Sequence, residues 1–148
     1  MEPTAQLGMP IGINGIKIPD GYLYWTNTGK TILCRIKIHE NSKAVGDVEG
    51  LQMDTLADDF VFDDKGNAWQ AQNVLNTIVV RKVGGGMIVA VGEVGELTVA
   101  GGASCQFGRT DGYKHILYVT TTGGIAAPIN GTVMERGKIV SIDTSLFN

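Results

Sequence analysis

Asp58-Asp59-Phe60-Val61-Phe62-Asp63-Asp64-Lys65-Gly66-Asn67-Ala68-Trp69-Gln70-Ala71-Gln72 is the stretch that decides the fold. Phe60, Val61 and Phe62 are aromatic or β-branched and suit a pleated surface. Asp64-Lys65-Gly66-Asn67 is a turn cluster, with Gly and Asn available for left-handed backbone. The pattern predicts a hairpin of strands 59–63 and 68–72. Working downstream, 77–83 and 87–92 are two more strand-like runs around Gly84-Gly85-Gly86. That glycine run precedes a strand rather than a helix, so it is no dinucleotide fingerprint. Upstream, 13–18, 22–26, 31–38 and 48–53 read the same way, punctuated by Pro19-Asp20-Gly21. Beyond, 104–108, 116–121 and 137–143 follow, with Asp111-Gly112 between two of them. No stretch of three helical turns carries an amphipathic period with caps.

The strand groups repeat. Asn14-Gly15-Ile16-Lys17-Ile18, Asp58-Asp59-Phe60-Val61-Phe62 and Ala103-Ser104-Cys105-Gln106-Phe107 align, 44 and then 45 residues apart. Second strands align as Leu23-Tyr24-Trp25-Thr26-Asn27, Ala68-Trp69-Gln70-Ala71-Gln72 and Leu117-Tyr118-Val119-Thr120-Thr121. Four short strands per unit at this period are the signature of β-propeller blades. The expected fold is therefore all-β, with about three four-stranded blades at 11–53, 58–92 and 103–143 in one half-propeller domain over 1–148. Closed propellers have about four to eight blades. A homodimer, or a complementing N-terminal half, is expected to complete a six-bladed ring. Ser145-Leu146-Phe147-Asn148 is too short for a fourth strand of the last blade, so Met1 to Met9 of another chain is an expected source of it.

Composition narrows the function. The formal net charge is −3, from 12 basic and 15 acidic residues, with no basic run. A nucleic-acid footprint is not expected. No apolar stretch reaches the roughly 18 residues of a membrane span, and Met1-Glu2-Pro3-Thr4 does not open a signal peptide. Glycine numbers 21 of 148 residues, about twice the usual share, as turns between short strands require. Cys34 and Cys105 read as two buried thiols, without metal-binding spacing. A Cys105–His115 nucleophile pair lacks a third group to orient the histidine. Asp63-Asp64-Lys65-Gly66-Asn67 lacks the oxygen spacing of a calcium loop and reads as a turn. Asn130-Gly131-Thr132 is a glycosylation triplet, a weak hint of secreted relatives.

Ile11-Gly12-Ile13-Asn14-Gly15-Ile16, the run from Ala57 to Trp69, and Gly101-Gly102-Ala103-Ser104-Cys105-Gln106-Phe107-Gly108-Arg109-Thr110 resemble the senescence-marker-protein/gluconolactonase family of six-bladed propellers. Leu117-Tyr118-Val119-Thr120-Thr121-Thr122-Gly123-Gly124 resembles its fungal branch. The likeness spans nearly the whole chain but only the C-terminal half of the family's usual length. It implies one divalent cation, Ca²⁺ or Mg²⁺, with Asn14 and Asp58 at the family's Asn and Asp ligand positions. The family's Glu ligand would lie upstream of Met1. In a homodimer, two copies each of Asn14 and Asp58 would supply the oxygens instead.

Two chemistries follow as expectations. In metal-assisted lactone or ester hydrolysis, Asn14 and Asp58 hold a cation that polarises the carbonyl and acidifies a bound water. In a hetero-Diels–Alder cyclase of fungal secondary metabolism, a pocket positions a quinone methide against a terpene alkene and stabilises developing charge with neutral donors. The loops after second strands carry such groups: Asn27 and Thr28, Gln72 and Asn73, Thr121 and Thr122, with Trp25 and Trp69 in the adjacent strands. These are the expected contacts to a small organic substrate. A non-catalytic half-propeller remnant is the third alternative.

Overall fold

The computed structural model describes residues 11–52 and 56–147. They form eleven strands and two short 3-10 turns. The chain divides into two compact units, Met1–Ala57 and Asp58–Asn148.

The first unit holds one antiparallel meander in the order β1 (Ile13–Lys17), β2 (Tyr22–Asn27), β3 (Ile32–Ile38), β4 (Ala44–Gln52). Trp25 pairs with Cys34 across β2 and β3, and Leu33 with Thr26, all four buried. Arg35 sends two hydrogen bonds to one oxygen of Glu49, at 3.0 and 2.8 Å, and lies 4.7 Å above the Tyr22 ring. Between Ile13 and Ile16 the pairing of β1 with β2 is irregular. The bulge contains Asn14 and Gly15, and the Gly15 N–H donates to the Thr26 hydroxyl at 2.9 Å. The β4 strand begins at Ala44, four residues before the expected start, because His39 N–H closes a tight turn on Lys43 O with Ser42 at φ +63°.

The second unit holds two sheets. One is a four-stranded meander of β5 (Asp59–Phe62), β6 (Ala68–Gln72), β7 (Thr77–Arg81) and β8 (Met87–Val91). The other has three strands, β9 (Gly102–Phe107), β10 (Ile116–Thr121) and β11 (Ile139–Asp143), with β9 and β11 flanking β10. Val61, Trp69, Ala71, Ile78 and Val80 pack with Cys105, Leu117, Val119 and Ile142 in one core between the sheets. Fully burying each large apolar side chain contributes about 1.5–3 kcal/mol. The turn after β5 forms as the sequence indicates: Asp63 N–H donates to Asn67 O and Gly66 N–H to Asp63 O. Gly101 explains why glycine recurs at sheet entry. Its φ is +68°, and an added Cβ would collide with the Thr122 side chain and the Gly124 N–H.

Ten of the eleven strands lie within two residues of the expected positions, β4 being the exception, and the sheets are sequential antiparallel meanders. The expected fourth-strand donor, Met1 to Met9, and Met53 lie outside the described residues.

Candidate functional site

The strand ends that carry the expected site residues differ in what holds them. In the first unit, Asn14 lies in the β1 bulge, exposed, with its amide nitrogen 3.5 Å from the Thr28 hydroxyl. That hydroxyl donates to Ala57 O at 2.9 Å. Asn27 ends β2 fully buried, and its side-chain oxygen accepts the Lys30 N–H at 3.0 Å. Trp25 is buried too, and its indole N–H has no acceptor among the described residues.

In the second unit, Asp58 immediately precedes β5, and Asn73 follows β6. The Asn73 amide donates to the Asp58 carboxylate at 3.2 Å. The Asn73 side-chain oxygen is buried and lacks a partner. Gln72 is buried, and its side-chain oxygen accepts from the Thr77 hydroxyl at 2.9 Å. Thr121 hydrogen-bonds the Lys138 backbone with its hydroxyl, which accepts the Lys138 N–H at 3.1 Å. The Thr122 hydroxyl is buried without a partner, while its backbone N–H donates to Gly101 O. The structure therefore brings Asp58 and Asn73 together, and leaves two neutral oxygens, on Asn73 and Thr122, inside the protein unsatisfied. Such groups cost about 1–3 kcal/mol each. They mark positions where a ligand atom would be welcome.

Two polar residues that sequence reasoning did not single out, Asp59 and Asn76, hold this end together. Asp59 is buried on β5 and accepts from the Ser104 hydroxyl at 2.6 Å and the Cys105 N–H at 3.2 Å, tying β5 to β9. Asn76 has left-handed backbone, φ +55°, and its side-chain oxygen accepts the Gly101 N–H at 2.8 Å. Asp63, at the far end of β5, accepts from Trp69 Nε1, Asn67 Nδ2 and the backbone N–H groups of Lys65 and Asn67. Burial alone would raise its carboxyl, but those hydrogen bonds outweigh burial and hold it below the usual carboxylate range. Alternation around Asp58-Asp59 is the signal that separates them: adjacent strand residues face opposite ways.

Both cysteines are buried free thiols. Burial pushes the Cys34 thiol up, opposed weakly by Lys30. Cys105 is buried, its sulfur 3.7 Å from Trp69 O, whereas His115 is exposed. Among the described residues, no group of three or more His, Cys, Asp or Glu side chains is placed to hold a metal ion. No helix among them is long and apolar enough to cross a membrane.

Comparison with solved structures decides the architecture. A luciferin-regenerating enzyme superposes with a TM-score of 0.64 over 89% of this chain and 45% of its own, at 16% identity. A calcium-binding protein, regucalcin, of Agrobacterium tumefaciens gives 0.58 over 75% and 38%, at 24% identity. A streptogramin B lyase gives 0.53 over 97% and 44%, at 16% identity. The sheets are propeller blades. At these identities the likeness concerns the fold alone.

No protein-family profile matches the chain. Among curated proteins, a candidate hetero-Diels-Alderase of Sarocladium schorii is 30% identical over the whole of this chain. Another, from a Phoma species, is 35% identical over 81% of it. The chain spans 40% and 36% of the lengths of these two relatives.

Proposed function

We propose that these blades belong to a fungal propeller enzyme that performs a hetero-Diels–Alder cyclisation. The observation that carries the reading is the neutral donor and acceptor set at the ends of β6 and β10: Gln72, Asn73, Thr121 and Thr122, with the Thr122 hydroxyl buried and unpartnered. The names of the two curated relatives support it. In the reaction, the C=C–C=O unit of a quinone methide adds across an alkene. One C–C and one C–O bond form, three π bonds become one, and no atom leaves. The protein need only align the two partners and stabilise charge that grows on the quinone-methide oxygen. The Thr122 hydroxyl supplies a donor for that oxygen. The remaining blades come from a second copy of the chain or from a complementing N-terminal half.

Metal-assisted lactone or ester hydrolysis is the second reading, favoured by the Asp58 carboxylate beside the unsatisfied Asn73 oxygen. Both are hard oxygen donors suited to Ca²⁺ or Mg²⁺. When bound, the cation would supply Lewis acidity.

The test is cyclisation rate and lactone hydrolysis in parallel, with and without EDTA. The cyclase reading expects cyclisation indifferent to EDTA and lowered about tenfold or more in Thr122→Val, the loss of one preorganised donor. Hydrolysis abolished by EDTA and by Asp58→Ala, with no cyclisation, would replace it by the second reading.

A further inference from the structure

A groove of about 380 Å³ opens on the second unit at the opposite end of β5 and β6 from Asp58 and Asn73. Its floor is aromatic. Trp69 meets Phe107 edge-to-face at 6.1 Å and Phe147 at 5.7 Å between ring centroids. Its rim is basic in an acidic chain: Lys65, Lys82, Arg109 and Lys114 line it against Asp63 and Asp64, whereas the whole chain carries −3.

Four cations against two carboxylates leave the rim positive. Asp63 spends its oxygens on three donors of its own turn and on Trp69 Nε1. Lys82 donates to a neutral acceptor, Phe147 O, at 2.8 Å, so its charge persists. Lys114 pairs with Asp111 at 2.7 Å, but both side chains are well exposed and the pair is weak. The Arg109 guanidinium has no hydrogen bond or ion pair among the described residues. A planar fork of donors beside aromatic walls is matched by a planar carboxylate on an aromatic ring. The groove volume is that of a small-molecule site.

We infer that this groove binds a small aromatic carboxylate, its carboxylate on Arg109 and its ring against Phe107 and Phe147. The site is separate from the strand ends invoked for the cyclisation and does not depend on that reading. It is a place for an effector or for an acidic aromatic precursor, recognised by charge and ring together.

Calorimetric titration of 2-naphthoate into the purified full chain tests it, with 2-naphthylmethanol and inorganic phosphate as the uncharged and ring-free probes. Saturable one-to-one binding of 2-naphthoate is expected, at least tenfold tighter than either probe. Arg109→Ala should weaken it about tenfold or more, the loss of a charge-assisted contact, with unchanged melting temperature because the side chain is exposed. Arg136→Ala, an exposed cation away from the groove, should leave it unchanged. Naphthoate binding equal to that of the alcohol, displacement by phosphate at equal concentration, or an Arg109→Ala variant with wild-type affinity would each overturn the proposal.

Discussion

The two blades of the second unit are built differently. In the β5–β8 blade the inner strands β5, β6 and β7 are filled on both faces, while the outer strand β8 is largely exposed. Val61, Trp69, Ala71 and Val80 face the common core, and Phe60, Gln70 and Val79 on the opposite face are buried as well. In the β9–β11 blade only one face is. Cys105, Leu117, Val119 and Ile142 are buried, while Ser104, Gln106, Tyr118, Thr120 and Ser141 between them are exposed. The second of these blades also has three strands against four. One blade behaves as an interior layer and the other as a half-buried sheet with hydrophobic-in, polar-out alternation. Stability is therefore concentrated in the former, and the sensitivity to mutation should divide along the same line.

The largest effect is expected at Trp69→Ala. It removes a side chain that is 2% exposed, two ring contacts and a hydrogen bond to Asp63. A loss of about 3–5 kcal/mol should appear in urea unfolding. A loss as small as that of an exposed residue would erase the distinction between the blades. Asp59→Ala comes next, because it strands the Ser104 hydroxyl and the Cys105 N–H at the junction of the two blades. About 1–3 kcal/mol is expected for the unsatisfied donors.

Acid sharpens the comparison further. The Asp63 carboxyl is held below its unfolded value, so its contribution is complete above the unfolded carboxylate range and is lost as pH falls through the folded value. Melting temperature should drop below about pH 4 in the wild type, and less steeply in Asp63→Asn. Equal slopes would remove the hydrogen-bonded turn from the account. Smallest of all, Tyr118→Ala on the open face should cost no more than about 0.5 kcal/mol. Thr122→Val is expected to fall at the same end of the scale, or to stabilise slightly, since it removes a buried hydroxyl that has no partner.

The strands were legible because alternation and turn chemistry are local. The β10 run Ile116–Thr121 alternates buried and exposed residues almost throughout, and Asp64-Lys65-Gly66-Asn67 is a turn by composition alone. The early start of β4 was not legible, because Ala44-Val45-Gly46-Asp47 has poor strand propensity and is held by pairing with β3. At the candidate site, the family resemblance indicated Asp58 and the place after a second strand indicated Asn73. The sequence did not indicate that they touch, nor that Asp59 and Asn76 bond residues 45 and 25 positions away. Those partners depend on tertiary placement, to which no local pattern points.

The stereochemistry of the cyclised product tests the proposed function most directly. A quinone methide and an alkene combine unaided to equal amounts of two enantiomers, so the wild-type protein, in the presence of EDTA, is expected to give one in clear excess. Thr122→Val should keep the fold and lose most of that excess. A racemic product from the folded wild-type protein and its complementing blades would contradict the account.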